Sequence, residues 1–386
     1  MKKKIIHIIG GLEFGGAENM LQTLALNSTV HEHLIFSLSI EDRHSERFRE
    51  RGCDVETFGI RIPSATALWK KSARVILGMI HLYRQIKRES PDIVQTWMYQ
   101  SDIIGGVIGR ALGIKVCWGI FNSNLDRKNY RLRTNMIILL CARLSRVIPH
   151  EIWSCSRLGV KTHAGVGYPR RGVRTIPAGV NTDRFKPVSE NQVTTGNLPS
   201  KDNDALVVGT IARWDPQKDY RTLLHAFKNI REEFPRAELW LAGGYGIDDE
   251  NEVLISMIED HKLTDAVRLF GALSDRLIWF YRSLDVFVLS SLGEGVPNVI
   301  LEAMSMEVPC LGSDVGDIAD VLDDIELIVE RQSIEELSKK LSALLSKSRD
   351  ERREIGRGLR QRVQECYSSQ QMVQALERMY SDLAKD

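Results

Sequence analysis

Two cations stand in one loop of the second half of the chain. Arg213 follows the apolar run 205–212, and Lys218 precedes the next amphipathic stretch. A guanidinium can bind two oxygens at once and an ammonium adds a point charge, so this pair suits a diphosphate. The alternative is an ordinary solvated loop, in which Asp215 and Asp219 neutralise the two cations.

Two glutamates, Glu294 and Glu302, accompany a second loop. An apolar run (285–291) leads into this loop. A helix is predicted to begin near Pro297–Asn298, because proline fits the first helical turn and asparagine caps it well. Glu294 then lies in the loop and Glu302 in the helix. Carboxylates accept hydrogen bonds from vicinal hydroxyls, so the pair suits a sugar and a ribose, although two glutamates at this spacing are common by chance.

A glycine-rich loop, GGLEFGGAENML (10–21), follows the first apolar run of the chain. Glycines let the backbone approach a ligand, and a helix that opens at Gly15–Gly16 directs free N–H groups at an anion. The spacing is not the G-x-G-x-x-G of a dinucleotide fold, and no acid follows at the distance that fold requires. A tight turn without a ligand is the alternative.

Short β-branched runs alternate with longer amphipathic stretches, which predicts parallel sheets covered by helices. The runs are 4–9, 33–40, 92–97, 115–121 and 151–156, then 205–212, 237–244, 267–271, 285–291 and 308–314. Between the two sets lies a polar stretch that contains Pro, Gly and Ser and has no apolar period, so it is predicted to be a linker. This pattern predicts two doubly wound α/β domains joined by the linker. In such domains ligands bind at the carboxyl ends of the strands.

The predicted boundaries place a first domain at 1–183, a linker at 184–204 and a second domain at 205–365. The last segment, 366–386, is predicted to be a helix that packs back towards the first domain. After residue 330 the chain is helical in composition.

The composition is that of a water-soluble globular protein, with 43% hydrophobic and 27% charged residues. The six cysteines contain no CxxC pair and are predicted to be reduced thiols in the core of a cytosolic protein. The chain starts with MKKKIIHIIGG, whose apolar run is too short for the hydrophobic region of a signal peptide. This run predicts a buried strand, in which His7 is a core residue.

A net charge of +1 conceals an asymmetry between the halves of the chain. Residues 1–183 hold 27 basic and 15 acidic residues, a balance of +12, and the remainder has a balance of −11. The first half is therefore expected to meet an anionic partner. Nucleic acid, an anionic membrane and a phosphorylated acceptor all meet this condition.

The order and separation of four segments resemble glycosyltransferase family four. These segments are GGAE (15–18), IPAGVNTDRF (176–185), TIARWDPQK (210–218) and EGVPNVILEA (294–303). The resemblance extends from about residue 4 to residue 330. It implies the GT-B fold, with two Rossmann-like doubly wound domains facing a cleft, and a retaining transfer of a sugar from a nucleotide sugar.

The resemblance also implies roles for individual residues. Glu294 would lie beside the donor sugar and Glu302 would bind the ribose, while Arg213, Lys218 and the Gly16 amide would bind the phosphates. Glu294, Arg213 and Lys218 are the implied catalytic residues, and the reaction is expected to need no metal or cofactor beyond the nucleotide sugar. The implied donor site comprises Gly15, Gly16, Arg213, Lys218, Ala272, Leu273, Glu294, Gly295, Val296, Pro297, Asn298 and Glu302.

One departure from the family lies in TWMYQSDIIGG (96–106), where Gln100 stands in place of a histidine that many relatives carry. Glutamine donates a hydrogen bond but does not take a proton at neutral pH, so the substitution argues against a mechanism based on that histidine. Gln100, Asn122 and Ser123 are expected on the acceptor side of the site.

Two basic amphipathic segments, 61–89 and 127–146, lie in the first half. In the former, apolar residues with a period near 3.6 are predicted to form one face packed on the sheet; they are Leu68, Val75, Ile76, Met79, Ile80, Tyr83 and Ile86. The basic residues predict reversible docking on an anionic membrane, hence a cytoplasmic protein peripheral on the inner face of the membrane. A nucleic-acid partner is not expected, because no recognised binding motif accompanies the charge.

The resemblance predicts a hexosyltransferase, with a UDP-sugar favoured over a GDP-sugar as donor. A glycan or polyprenyl-diphosphate-linked glycan is the expected acceptor, in the synthesis of bacterial lipopolysaccharide O-antigen, capsule or exopolysaccharide. A nucleotide-sugar 2-epimerase of the same fold and a non-catalytic nucleotide-sugar-binding protein are the alternatives.

Overall fold

The structure of the protein is a computed structural model. It describes residues 2–13, 15–60, 68–123, 125, 132–187, 205–244, 246–273 and 276–385, with side chains in the helix that begins at residue 68 described from residue 74 onward. The chain divides into two compact units. Unit 1 is Met1–Ala178 with Ser369–Asp386, and unit 2 is Gly179–Ser368. Residues 188–204 of the predicted linker lie outside the described part.

Unit 1 is built on a parallel sheet of seven strands in the order β3-β2-β1-β4-β5-β6-β7. The strands are β1 (Lys4–Ile9), β2 (Glu32–Ser37), β3 (Val55–Thr57), β4 (Ile93–Trp97), β5 (Lys115–Ile120), β6 (Glu151–Ser154) and β7 (Val173–Thr175). The helices are α1 (Gly16–Asn27), α2 (Arg43–Glu50), α3 (Leu68–Glu89), α4 (Tyr99–Ala111), α5 (Leu132–Leu144), α6 (Arg157–Gly165) and α14 (Ser369–Leu383).

Unit 2 is built on a parallel sheet of six strands in the order β10-β9-β8-β11-β12-β13. The strands are β8 (Val207–Ile211), β9 (Glu238–Ala242), β10 (Val267–Leu269), β11 (Val286–Leu289), β12 (Cys310–Ser313) and β13 (Ile328–Val329). The helices are α7 (Tyr220–Glu233), α8 (Glu252–Asp260), α9 (Leu277–Ser283), α10 (Asn298–Ser305), α11 (Ile318–Leu322), α12 (Ile334–Leu345) and α13 (Arg349–Cys366).

Side-chain alternation along β1 shows how the sheet of unit 1 is covered. Ile6 and Ile8 pack into a core cluster with α3 and α4, and a second cluster joins α4 to α5. His7 points to the opposite face, where its ring lies 6.2 Å from that of Tyr380 on α14. Helices α3, α4 and α5 therefore form one layer, and α14 belongs to the other.

His7 is fully buried, as predicted. The indole Nε1 of Trp97 donates to His7 Nδ1 at 3.1 Å, so the ring proton of His7 resides on Nε2 and is donated to His33 Nδ1 at 2.7 Å. Burial lowers the pKa of His7 well below its ordinary value and that of His33 to about 4. Both rings are thus neutral core groups.

Three sequence predictions need correction. Cys366 is exposed, although the other five cysteines are buried. Asn298 is the first residue of α10 and not its cap, because Pro297 keeps an extended backbone and takes the capping position. The predicted single apolar face of α3 is wrong: Val75 and Met79 pack on the sheet, whereas Ile76, Ile80 and Tyr83 are exposed.

Asp102 on α4 is a fully buried carboxyl group. Its Oδ1 accepts a hydrogen bond from Thr96 Oγ1 at 2.5 Å, and its Oδ2 has no hydrogen-bond partner within the described part of the chain. Burial raises the pKa of Asp102 to about 7, because the charged form loses its hydration.

Asp102→Asn should remove a pH-dependent loss of stability. Between pH 4 and 7 the folded wild type holds a proton on Asp102 that the unfolded chain releases, so the free energy of unfolding falls as pH rises. Relative to wild type, we expect the variant to gain about 2–3 kcal/mol of unfolding free energy between pH 5 and pH 8. Denaturant melts of the full chain at both pH values provide the measurement.

Asp92→Asn is the matched control for this comparison. Against the opposing effect of burial, hydrogen bonds from Lys4 N and Lys3 Nζ lower the pKa of Asp92. The carboxylate of Asp92 therefore stabilises the fold above the ordinary pKa of aspartate. Asp92→Asn should be less stable than wild type at neutral pH, and this difference should not shrink at pH 8. If the difference in unfolding free energy between Asp102→Asn and wild type is the same at pH 5 and pH 8, Asp102 is not a neutral carboxyl group in the folded protein.

Candidate nucleotide-sugar site

The loops at the carboxyl ends of the strands in unit 2 are tied to one another by backbone hydrogen bonds. Gly243, after β9, donates from N to Gly271 O at 2.8 Å, and Leu292, after β11, donates to Gln217 O at 2.7 Å. Gly243 has a positive φ, and a side chain there would collide with the Ala212 carbonyl. The loops after β8, β9, β10 and β11 thus form one connected edge of the sheet.

Lys218 and Glu294 meet at this edge. Lys218 Nζ pairs with Glu294 Oε1, and the same oxygen accepts from Ser291 Oγ at 2.7 Å. The side chains of Lys218 and Glu294 are only 19% and 12% exposed. Ser290 Oγ supports the arrangement, since it hydrogen-bonds to the Lys218 carbonyl at 3.0 Å. An ion pair this poorly solvated is held in place more firmly than a surface pair.

The Glu294 loop is packed against the loop that follows β12. Gly316 has φ +63°, and a side chain on it would collide with the Glu294 carbonyl oxygen. Asp317 N donates to Gly295 O at 3.2 Å. Val296 and the first turn of α10 follow directly, so the backbone from Glu294 to Asn298 is positioned from both sides.

Arg213 differs from Lys218 in its surroundings. Its side chain is 64% exposed, and its Nε donates to Asp215 Oδ2 at 3.1 Å. Asp215 also caps the 3₁₀ turn Pro216–Lys218, whereas Asp219 caps α7 through Thr222 and does not neutralise the loop. The loop therefore presents Arg213 to solvent, where it can reach an anionic ligand.

Glu302 lies one helical turn into α10 and is held by Tyr281 of α9. Tyr281 is fully buried, and its hydroxyl donates to Glu302 Oε2 at 2.8 Å. Burial raises the pKa of Glu302 to about 7, although the Tyr281 hydroxyl and the charge of Arg184 favour the carboxylate. As a whole residue, Glu302 is only partly buried.

The predicted base-binding backbone, Ala272 and Leu273, follows β10 at the same edge. Ala272 is exposed and Leu273 is buried in the core of unit 2. Arg276 donates to the Ala272 carbonyl at 3.4 Å. The exposed backbone at Ala272 is anchored on one side by the buried Leu273.

In unit 1, the predicted residues lie at the carboxyl ends of the neighbouring strands β1, β4 and β5. Gly15 caps α1, and a side chain on it would collide with the Glu18 carboxylate. Gly16 opens the helix, as predicted, and a side chain there would meet nothing within 4 Å. The first turn of α1 is thus already accompanied by a carboxylate, as expected for the positive end of a helix dipole.

Gln100 stands in the first turn of α4 and is exposed. The residue that caps this helix is Met98, whose φ of +72° is unusual for a residue with a long side chain. Asn122 Nδ2 donates to the Tyr99 hydroxyl at 3.3 Å, which ties Asn122 to the first residue of α4. Ser123 follows in the same loop, where its carbonyl accepts from Thr162 Oγ1.

His163 does not replace the histidine that is missing at position 100. Its Nδ1 donates to the Gly159 carbonyl at 2.7 Å, so its Nε2 accepts from the Tyr99 hydroxyl at 3.0 Å. Burial lowers its pKa to about 4. His163 therefore ends a buried chain of hydrogen bonds that supports Asn122 and Tyr99.

Within the described ranges, no group of three or more His, Cys, Asp or Glu side chains is placed to hold a metal ion. The Asp-x-Asp triplet of the sequence, Asp202–Asp204, lies outside those ranges. That the reaction needs no metal therefore stays a prediction.

Comparison with known families identifies both halves of the chain. Residues 14–184 match the model described as Glycosyltransferase Family 4, and residues 193–362 match the model described as Glycosyl transferases group 1. The chain belongs to the group 1 glycosyltransferases.

Similar proteins extend over most of this glycosyltransferase. It is 23% identical to the EpsF protein of Bacillus subtilis (strain 168), covering 98% of this chain and 97% of EpsF. It is 26% identical to the UDP-Gal:alpha-D-GlcNAc-diphosphoundecaprenol alpha-1,3-galactosyltransferase of Escherichia coli, over 62% of each chain. Alr3699/HepE of Anabaena, crystallised with UDP and glucose, superposes with a TM-score of 0.80 at 15% identity, covering 98% of this chain and 100% of HepE. The predicted GT-B fold is confirmed.

The sequence did not point to three residues that hold the site of this glycosyltransferase. Ser291 binds Glu294, Tyr281 binds Glu302, and Ser290 fixes the Lys218 loop. The two serines end the apolar run 285–291, and this position was a usable signal. Tyr281 carried none, because it lies in a different helix and resembles any core tyrosine.

Proposed function

We propose that this glycosyltransferase transfers a hexose from a nucleoside-diphosphate sugar, with UDP favoured as the nucleotide, to a lipid-linked glycan. The pairing of Lys218 with Glu294 at the edge of the unit 2 sheet carries the proposal, because a cation beside a carboxylate suits the diphosphate and the adjoining sugar of a donor. The alpha-1,3-galactosyltransferase acts, by its name, on a diphosphoundecaprenol-linked sugar, and HepE binds UDP and glucose. Both proteins support a UDP-sugar as the donor, and the galactosyltransferase supports a lipid-linked acceptor.

In the proposed reaction the bond between the anomeric carbon and the diphosphate breaks as the acceptor oxygen forms its bond to that carbon. The acceptor proton passes to the departing diphosphate, and the configuration is retained if attack occurs on the same face. Negative charge then develops on the diphosphate. Lys218 and Arg213 would stabilise this charge, and a cation already positioned in a poorly solvated site does so most effectively.

The proposed setting is the synthesis of a bacterial surface polysaccharide on the inner face of the cytoplasmic membrane. Relatives of this chain act in bacterial polysaccharide synthesis. Within the part of the chain that the structure describes, no helix combines the length and apolar character needed to cross a bilayer. Attachment to a membrane would then be peripheral.

Thermal melting in the presence of nucleotides tests the donor class. UDP or a UDP-sugar at 100 times its dissociation constant should add about 2.7 kcal/mol to the stability of the protein. We expect UDP to raise the melting temperature more than GDP or ADP, and Arg213→Ala to reduce the rise. Arg236→Ala, at an exposed position before β9, is the matched control and should leave the rise unchanged.

The two alternatives give different results. If UDP-sugars raise the melting temperature but no sugar is transferred to polyprenyl-diphosphate-linked acceptors, the protein is a nucleotide-sugar-binding protein. An epimerase would exchange the hydrogen at C2 of the sugar with solvent deuterium when no acceptor is present. If no nucleotide changes the melting temperature, the proposed function is wrong.

A further inference from the structure

Among the described residues, most of the large apolar side chains that are exposed lie on one layer of helices in unit 1. Fourteen large apolar residues of the described ranges are exposed, and ten of them lie on α3, α4 and α5 or directly after α5. They are Ile76, Leu77, Ile80, Tyr83, Val107, Leu132, Met136, Leu139, Leu140 and Val147. Scattered apolar residues are normal on a surface, but a concentration on one layer indicates a binding surface.

On α5 these residues form a stripe. Leu132, Met136 and Leu140 follow one another at intervals of four and are 77%, 61% and 44% exposed. The inward side of the helix is separately filled, because Ile138 and Cys141 pack into the core cluster shared with α4. The stripe therefore plays no part in holding α5 on the sheet.

Helix α3 has the same two-sided character. Leu82 and Ile86 are fully buried against the sheet, whereas Leu77 and Ile80 are 66% and 42% exposed on the outer side. An amphipathic helix that only packs on a sheet has a polar outer face. The outer apolar residues of α3 thus add to the surface formed by α5.

The charges on this layer are almost all positive. Exposed basic residues are Arg74, Arg84, Lys87, Arg88, Arg110, Arg133, Arg143 and Arg146. Among the described residues of the three helices, the acidic ones are Glu89, which pairs with Lys4 and Arg88, and the buried Asp102. The outer face of α3, α4 and α5 is therefore both apolar and cationic.

We propose that the outer face of α3, α4 and α5 docks on an anionic lipid bilayer. Arginine and lysine side chains reach lipid phosphates while apolar neighbours enter the boundary between headgroups and acyl chains. A second copy of the chain fits the surface less well, because two cationic faces would repel each other. The inference deepens the proposed function, since it gives the lipid-linked acceptor the location at which the enzyme meets it.

Flotation with vesicles tests the proposal on the full chain. Wild type should bind vesicles of phosphatidylglycerol and phosphatidylcholine in equal parts, and should bind pure phosphatidylcholine weakly. Met136→Gln/Leu140→Gln should lower the partition coefficient on anionic vesicles by roughly tenfold or more. Arg133→Gln/Arg143→Gln should lower it by a similar factor of roughly tenfold and reduce its dependence on salt.

Val253→Gln is the matched control, because Val253 lies on α8 of unit 2 and is 61% exposed. It should bind vesicles as wild type does. Glutamine is a good helix former and the substituted positions are exposed, so the variants should fold, which their melting temperatures verify.

Three results would overturn the proposal. In the first, wild type remains unbound on anionic vesicles. In the second, Val253→Gln weakens binding as much as the α5 variants do. In the third, wild type dimerises without vesicles and Met136→Gln/Leu140→Gln separates the dimer, which would identify the face as an interface between copies. The UDP-dependent rise in melting temperature is measured without lipid. A protein that does not bind vesicles can therefore still show this rise, so failure of the docking proposal is distinguishable from failure of the proposed donor.

Discussion

Lys218→Met should lower kcat/KM for the nucleotide sugar by about 100- to 1000-fold. Lys218 is the cation that the structure holds closest to Glu294, with little exposure to water. A charge already positioned in such a place stabilises the departing diphosphate without reorganising solvent. Methionine keeps the length of the side chain and removes the charge, so steady-state kinetics with a UDP-sugar measure the electrostatic contribution directly.

The control for this variant is Lys228→Met, on the exposed side of α7, the helix that follows the Lys218 loop. It removes the same charge and should leave kcat/KM unchanged. Lys218→Met also leaves Glu294 without its cation, which costs stability, so the melting temperature of each variant accompanies the kinetics. A folded Lys218→Met enzyme with wild-type turnover would refute the proposed role of this lysine.

The sequence predicted the sheets well because buried parallel strands are short, continuous apolar runs. Each of the ten predicted strands has a counterpart in the structure, and the run 205–212 contains β8 at Val207–Ile211. The strands that were missed, such as β3 and β13, are two or three residues long. A run this short carries no periodic signal, and only its neighbours in the sheet define it.

The candidate site was predictable by residue type but not by partner. Lys218 and Glu294 were both recognised, yet they lie 76 positions apart, and nothing in the sequence pairs them. Their contact arises because β8 and β11 are neighbours in the sheet, so the loops that follow them meet. The same reason explains why the support of Glu302 by Tyr281 became visible only in three dimensions.

The orientation of α3 shows a limit of helical periodicity. The predicted face included Val75 and Ile76, which are adjacent in sequence and point in different directions in a helix. A period near 3.6 shows that a helix has an apolar side, but a helix with two apolar sides gives a similar pattern. The distinction depends on which side the sheet covers, and Leu82 and Ile86 occupy that side.

Affinity for a UDP-sugar should increase with pH through about 7 in the wild type and lose this dependence in Glu302→Gln. Burial raises the pKa of Glu302 to about 7, and ribose hydroxyls would donate to its ionised form. At pH 6 only about a tenth of the carboxyl groups are ionised, so binding should be about tenfold weaker than at pH 8. Calorimetric titration at the two pH values measures this, and a UDP-sugar avoids the titration of a terminal phosphate.

Tyr281→Phe separates a role in ligand binding from a role in folding. The Tyr281 hydroxyl stabilises the carboxylate of Glu302, so its removal should raise the pKa of Glu302 further and move the affinity profile to higher pH. A purely structural loss would weaken binding equally at every pH. If the wild-type affinity does not change between pH 6 and pH 8, Glu302 does not bind the nucleotide through its ionised carboxylate, and the ribose has another partner.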